Sequence, residues 1–419
     1  MKKLIVLSVV FALVAGVAFA VDLSGGVIGT VNVVSASSVK ESDVLAGGEF
    51  NRLRIEGAGE SGDGKFGGWI RLDPASASWA YNKNNGKGPN GGNLPATDPQ
   101  GYELSWSDGV AGLAWWKPID QLKLTIGGQP DGMWGKEGVA GWMFYQSASD
   151  TGVADGGNNV WSGGGEYDQG LKFRNAFFRG FGGNGLLLEI KPIDMIGVNI
   201  AVPFIDKAGA KFEDILKAVV AQVDLNFDFG NIAITYEGEG SYIQNGNVNW
   251  AGSDAGVIYG YFGLTAIENI GLDIGVGLQM NEEGGRKNPF VVGLGLKYSG
   301  GAFGVKFRTA LSLPGEDFQE FKVLADVLPY YVVNDSLRIF VSAGLGIKAP
   351  SKNAKDFADA LGLDADPVVG WRFNPYVEIG EEWGPKFLVG IKLIADGSKD
   401  GDDKAILNFS IPIALSVSF

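Results

Sequence analysis

Cysteine and histidine are both missing from the 419 residues. Without cysteine there is no disulfide framework and no thiol nucleophile; without histidine there is no imidazole for an acid–base pair or for the usual zinc sites. Most hydrolase mechanisms lose their central residue with these two. Basic residues are in the minority, 34 against 48 acidic, for a net charge of −14, so nucleic acid is a poor partner. Long apolar runs are scarce too. Beyond the N-terminus nothing approaches about 18 consecutive apolar residues, which excludes a second helical span. A place in a membrane would then require a closed barrel, the other arrangement that satisfies every backbone donor and acceptor in hydrocarbon.

The first residues have the three parts of a secretory signal peptide: Met1-Lys2-Lys3, the apolar run Leu4 to Val17, and Ala18-Phe19-Ala20. Cleavage is expected after Ala20, leaving residues 21–419 as one domain. Losing Lys2 and Lys3 leaves 32 basic residues, and 32 − 48 gives a formal charge of −16. Glycine is abundant, 66 residues against an average usage of about 7%. Disorder is nevertheless disfavoured, because 45% of the chain is hydrophobic and 11% aromatic. Glycine among alternating apolar residues suits curved, tilted strands and tight turns.

The last stretch, Ala405 to Phe419, shows the pattern most clearly. Leu407, Phe409, Ile411, Ile413, Leu415, Val417 and Phe419 alternate with Asn408, Ser410, Pro412, Ala414, Ser416 and Ser418, so one strand face is wholly apolar and the other small or polar. Upstream the same grammar recurs. In the hairpin Phe50 to Asp73, Leu53, Ile55, Ile70 and Leu72 alternate with Arg52, Arg54, Glu56, Trp69 and Arg71 across a turn at Ser61-Gly62-Asp63-Gly64. Val223 and Leu225 flank Asp224, Leu272 and Ile274 flank Asp273, and Val305 and Phe307 oppose Lys306 and Arg308. Ile339 opposes Arg338, while Trp371, Phe373 and Val377 oppose Arg372 and Glu378. Many alternating segments of about ten residues are what a transmembrane barrel requires.

Connection lengths add an independent signal. Short turns, such as those at 61–65, 118–121, 192–195 and 381–385, mostly alternate with longer polar connections, among them 35–49, 74–110, 129–183, 204–217 and 396–404. Lys117-Pro118-Ile119-Asp120 and Lys191-Pro192-Ile193-Asp194 repeat one turn type. The fold expected is all-β: a transmembrane antiparallel up-and-down β-barrel of about 18 strands, with 16 as the fallback.

Few constellations suggest chemistry. Asp396, Ser398, Asp400 and Gly401 imitate the start of an EF-hand loop, but Leu407 stands where the bidentate Glu is needed. Gly163-Gly164-Gly165 lies outside any strand–helix context. Phe212 with Leu216, and Phe357 with Leu361, have helical spacing and suggest short loop helices. No cofactor or metal is expected. The better signal is the polar face. Its basic members are Arg52, Arg54, Arg71, Lys123, Lys297, Lys306, Arg308, Lys322, Arg338, Arg372 and Lys392; its acidic ones are Glu56, Glu189, Asp224, Glu237, Asp273, Glu320, Asp326 and Glu378. Arg or Lys on a lipid face costs about 2–4 kcal/mol near the midplane, so these residues are assigned to a wet lumen. They serve there either as solvated cross-braces or as a polar channel wall that tunes selectivity.

Signal peptide, alternating strands, loop asymmetry and a terminal Phe419 together resemble Gram-negative outer-membrane porins over nearly the whole mature chain, with hairpins that look like those of spirochaete barrels. The resemblance implies an outer-membrane location and passive diffusion of small hydrophilic solutes by a protein that is not an enzyme. It also implies Phe419 as the signal read by the barrel-assembly machinery, outer-membrane lipid as surroundings, and allows a homotrimer. In trimeric porins the third outer loop narrows the lumen; here that loop is 129–183, carrying Trp134, Trp142, Trp161, Arg174 and Arg179. A surface adhesin and a substrate-specific channel with an aromatic track are the alternatives.

Overall fold

Backbone groups in an alternating chain with few helix-favouring stretches find their partners between strands, and the chain does this over most of its described residues. The computed structural model describes residues 20–37, 45–81, 100–129, 135–136, 179–180, 183–204, 211–238, 243–244, 247–248, 256–280, 290–313, 320–350, 368–381, 385–399 and 405–418. The first nine staves are β1 (Ala20–Ser37), β2 (Leu45–Glu60), β3 (Phe66–Tyr81), β4 (Gln100–Ile119), β5 (Leu122–Gln129), β6 (Gly183–Ile193), β7 (Ile196–Pro203), β8 (Val220–Phe227) and β9 (Gly230–Glu237). The rest are β10 (Gly256–Leu264), β11 (Ile270–Met280), β12 (Phe290–Gly300), β13 (Phe303–Leu313), β14 (Glu320–Asn334), β15 (Leu337–Pro350), β16 (Val368–Gly380), β17 (Lys386–Gly390 continued by Lys392–Lys399) and β18 (Ala405–Ser418).

Each stave pairs antiparallel with the next, and β1 closes on β18 from Gly26↔Ser418 to Ser37↔Asn408. The sheet holds 19 strand segments. Both halves of β17 pair with β16 and with β18, so the closed barrel has eighteen staves. The interruption has a cause in the neighbour. Ile391 donates its N–H to the Pro375 carbonyl at 2.9 Å, but Pro375 has no N–H to return the bond.

Connections sort by side as the sequence led us to expect. Eight short turns, at 61–65, 120–121, 194–195, 228–229, 265–269, 301–302, 335–336 and 381–385, share one rim. Every longer connection leaves from the other. Two of these carry small two-stranded ladders, Gly135–Lys136 with Arg179–Gly180 and Ile243–Gln244 with Asn247–Val248. A third holds the helix α1 (Phe212–Lys217), where Asp214 accepts the Lys211 backbone N–H at 2.7 Å. The two KPID repeats both end in two-residue turns, Ile119↔Leu122 and Ile193↔Ile196.

Several boundaries differ from expectation, and the connection expected over 35–49 narrows to 38–44. The connection expected over 74–110 contracts to 82–99, because β3 runs on through Pro74 with a register shift between Asp73 and Ala75 that absorbs the proline. The loop expected from 396 begins at 400, since β17 continues to Lys399 and carries Asp396 and Ser398 on a strand. The expected helical turn at 357–361 and most of 129–183 lie outside the described residues.

Side chains divide cleanly between the two faces. On β11, Ile274 is 40% exposed and its neighbour Asp273 0%. From β8 to β17 every described outward side chain on the strands is uncharged, and large apolar ones such as Ile234, Leu294, Leu345 and Trp371 are exposed. Aromatic residues gather outside near the short-turn rim: Phe66 stacks on Trp116 with centroids 6.3 Å apart, and Phe227 on Phe229 at 5.0 Å. This is the apolar band and aromatic girdle of a membrane barrel.

The first short turn is fastened by Asp63, whose Oδ1 accepts from Ser61 Oγ at 2.7 Å and from the Lys65 backbone N–H at 3.1 Å. These bonds, the Ser61 one first, hold its carboxyl below the usual value. The turn therefore gains stability above the unfolded-state pKa and loses it as pH falls through the lower folded one. Nuclear magnetic resonance should find Asp63 titrating below about 3.9, and Ser61→Ala should raise the midpoint; a midpoint unmoved by that change would contradict the assignment.

Candidate functional site

The inner wall is where the chain concentrates ionisable groups, and strand register decides which of them meet. One circumferential row can be followed from β10 to β16. Gly263 faces Asp273, Asp273 faces Gly295, Gly295 faces Arg308, Arg308 faces Asp326, Asp326 faces Gly344 and Gly344 faces Arg372. Long side chains lie flat across the glycines. Tyr261 leans over Gly263 and donates its hydroxyl to Asp273 Oδ1 at 2.5 Å. From the other side Arg308 Nη2 reaches Asp273 Oδ2 at 3.3 Å over Gly295. Arg372 crosses Gly344 to grip Asp326 with two nitrogens, Nη2 to Oδ2 at 2.7 Å and Nε to Oδ1 at 3.1 Å.

Gly344 is required by that close approach. A Cβ there would stand 2.2 Å from Asp326 Oδ1 and 2.9 Å from Arg372 Nε. The fork-on-carboxylate arrangement suits arginine's planar geometry, which lysine cannot reproduce. All four ionic groups are sealed: Asp273 is 0% exposed, Arg308 1%, Asp326 1% and Arg372 4%.

Nearer the short turns, Arg338 and Glu378 face each other in register and pair Nε to Oε1 at 3.0 Å, with Lys386 Nζ at 3.5 Å from Glu378 Oε2. Between this pair and the glycine-spanning row lies an inward aromatic layer. Tyr330, Phe340 and Tyr376 stack with centroids 5.7 and 4.7 Å apart, beside buried Leu328 and Leu388. Ser299 Oγ and the Tyr330 hydroxyl share a hydrogen bond of 3.0 Å.

On the opposite arc of the wall the described side chains include charges of both signs. Arg71 Nε pairs with Glu56 at 2.6 Å while its guanidinium sits 5.0 Å from the Trp69 ring centroid. Lys123 pairs with Glu189 at 3.0 Å, and Lys117 and Lys123 lie over Trp115 at 4.7 and 5.7 Å. Asp224 accepts from Gln222 at 2.7 Å and Asn199 at 3.1 Å, and Thr235 donates to Gln222 at 2.8 Å. Charges of both signs are thus tied into short local contacts.

Of the residues singled out from sequence, Arg71, Lys123, Asp224, Asp273, Lys306, Arg308, Arg338, Arg372 and Glu378 all stand on this inner face. The side chains of Arg52, Arg54, Lys322, Glu237 and Glu320, and the whole of Phe419, fall outside the described residues. Tyr261, Gly344 and Trp115 were not singled out. Their signal is a glycine at the inward position of a neighbouring strand, which becomes visible only when the register is known.

Among solved structures the chain is similar to several barrels over nearly its full length. These include the outer-membrane expressed OmpT of Vibrio cholerae (11% identity, 96% of this chain and 98% of that one, TM-score 0.39). The anion-selective porin from Comamonas acidovorans (10%, 96% and 100%, 0.45) and OccK5 of Pseudomonas aeruginosa (10%, 94% and 98%, 0.47) are two more. No family model and no curated protein matches the chain. The closed antiparallel ladder with its apolar outside is that of a membrane-spanning β-barrel.

One expectation is corrected here. The chain was expected not to be an enzyme, but the similar barrels are not all named as channels, OmpT among them. The exclusion also reached too far in chemistry, since lacking histidine and cysteine removes only the mechanisms that need them and leaves carboxylate acid–base work open. It is withdrawn.

The buried pairs can be probed singly. Asp326→Asn should leave the Arg372 charge sealed without its partner and destabilise the barrel by about 3–5 kcal/mol, read as a lower temperature for loss of the fast-migrating folded band on gels. Asp326→Leu combined with Arg372→Met should lose far less. A single variant as heat-stable as the parent would show that the pair contributes no net stability.

Proposed function

We propose that the protein is an outer-membrane channel for passive diffusion of small hydrophilic solutes. The observation that carries this reading is the sorting of side chains by face: no charge among the described outward side chains of β8 to β17, and ionised groups row upon row inside. Barrels of roughly 16 to 18 strands leave room for an aqueous channel, and an ionised wall is compatible with water and solutes, not with lipid. The inner aromatic layer favours diffusion over an aromatic track, because Tyr376 is 6% exposed and Leu328 4%, which fits packing better than presentation to a solute.

Insertion would proceed through the barrel-assembly machinery by way of the terminal strand and Phe419, assembly as a homotrimer fits the exposed apolar girdle, and the spirochaete-like hairpin style rests on the sequence alone. The charged wall residues contribute in two ways, some as braces and others as the surface a solute meets.

Planar bilayers decide it. Purified mature chain should give stepwise conductance increments with a near-linear current–voltage relation. A barrel that inserts, shown by heat-modifiable mobility, yet passes no current would refute the channel.

A further inference from the structure

Along one level of the wall the ladder loses bonds, and proline sets the positions. Pro329, Pro375 and Pro412 stand inside β14, β16 and β18, away from the stave ends. Bonded and non-bonded pairs alternate in an antiparallel ladder. Val332 donates its N–H to the Ala302 carbonyl, and Glu381 donates to that of Pro385. With that phase, Pro329 with Val341, Pro375 with Ile391 and Pro412 with Gly390 each fall where two bonds would be exchanged. Proline accepts one bond there but has no N–H to return the other, so the carbonyls of Val341, Ile391 and Gly390 lose their ladder donors. Pairing breaks off at all three places. It passes from Val327↔Ala343 to Tyr330↔Phe340, from Phe373↔Leu393 to Tyr376↔Gly390, and from Val389↔Ile413 to Lys392↔Ser410.

These gaps share a row. Pro329 leads to Val341, Val341 faces Pro375, and Pro375 accepts from Ile391. Beyond Ile391 the row reaches Ile411 and, across the closing seam, Val34, where the register shifts after Asn32↔Pro412. The row lies within the lipid-facing band, with Ile339, Val377 and Val389 on one side of it and Phe373 and Leu393 on the other. A carbonyl without a donor is costly in hydrocarbon, and strands paired on both sides rarely hold proline for that reason. From the lumen the row is covered by the aromatic layer. Tyr330, Phe340 and Tyr376 are the chain neighbours of Pro329, Val341 and Pro375, and they stack on one another with Leu328 and Leu388 buried beside them. A Cβ on Gly390 would stand 2.7 Å from Tyr376 Cβ and 2.8 Å from the Pro375 carbonyl oxygen, so the layer closes directly on the backbone.

We propose that this row is a hinge line built into the wall, about which the short-turn end of β14 to β18 swings, with the aromatic layer as the seal that keeps it closed at rest. Movement of that panel changes the width of the lumen at its short-turn end, so the wall itself supplies a gate. The gate rests on the channel reading above; the hinge does not.

Hydrogen exchange on the protein in lipid vesicles reads the hinge without any current. The amides of Val341, Gly390 and Ile391 should exchange about tenfold or more faster than those of Ile339 and Val389, which lie in intact bonded pairs of the same staves. Pro329→Val with Pro375→Val returns two donors from the lipid face. It should bring Val341 and Ile391 to the rate of their neighbours and leave Gly390, which faces Pro412, fast. In planar bilayers the same double variant should close several-fold less often than the parent. Exchange that is uniform along these staves, or unmoved by the double variant, overturns the hinge. Slowed exchange with closures as frequent as before overturns the gate. A silent barrel that shows the expected exchange sinks the channel reading and leaves the hinge standing.

Discussion

A backbone placed in hydrocarbon must satisfy every N–H and C=O from within, and the remaining features of this chain follow from the way it meets that demand. Eighteen staves pair with their neighbours and the last pairs with the first, so the sheet has no free edge. Antiparallel closure with an even number of staves sends the short turns to one rim and the longer connections to the other. Where one residue cannot take part, as Pro375 cannot beside Ile391, the ladder skips two pairs and resumes in the same register.

Closure also inverts the usual arrangement of a core. The outside is apolar, and the inside must place charged side chains against a curved wall without leaving them unpaired. Glycine makes this feasible by leaving lanes between strands, across which Tyr261, Arg308 and Arg372 reach carboxylates two staves or one stave away. Burial makes such pairs sensitive to loss of one partner, which is why the arginines act as braces.

Much of this was legible in the sequence. Period-two alternation sets Asp224, Asp273, Arg308, Arg372 and Glu378 on the face away from their apolar neighbours, because a strand offers only two faces. The number of staves followed from counting alternating runs between turns, and Phe212 with Leu216 marked the helix α1. Boundaries failed where a local signal was overruled: Pro74 reads as a break but sits at a bulge inside β3, and Asp396 and Ser398 read as loop but extend β17. Pairing was not legible at all. That Arg372 meets Asp326 depends on which residue of β15 lies between them, and register is a property of neighbouring strands, not of either one.

The central claim is that alternate residues face lipid and lumen around a closed ladder, and the natural absence of cysteine makes a direct test clean. Single cysteines at Leu294, Gly295, Leu296 and Lys297 of β12, labelled with a nitroxide in lipid vesicles, report collision with oxygen from the bilayer and with a water-soluble nickel chelate from the lumen. Accessibility should alternate without a slip, oxygen favoured at Leu294→Cys and Leu296→Cys and the chelate at Gly295→Cys and Lys297→Cys. Equal accessibility at all four positions, or the opposite phase, would contradict the barrel as described.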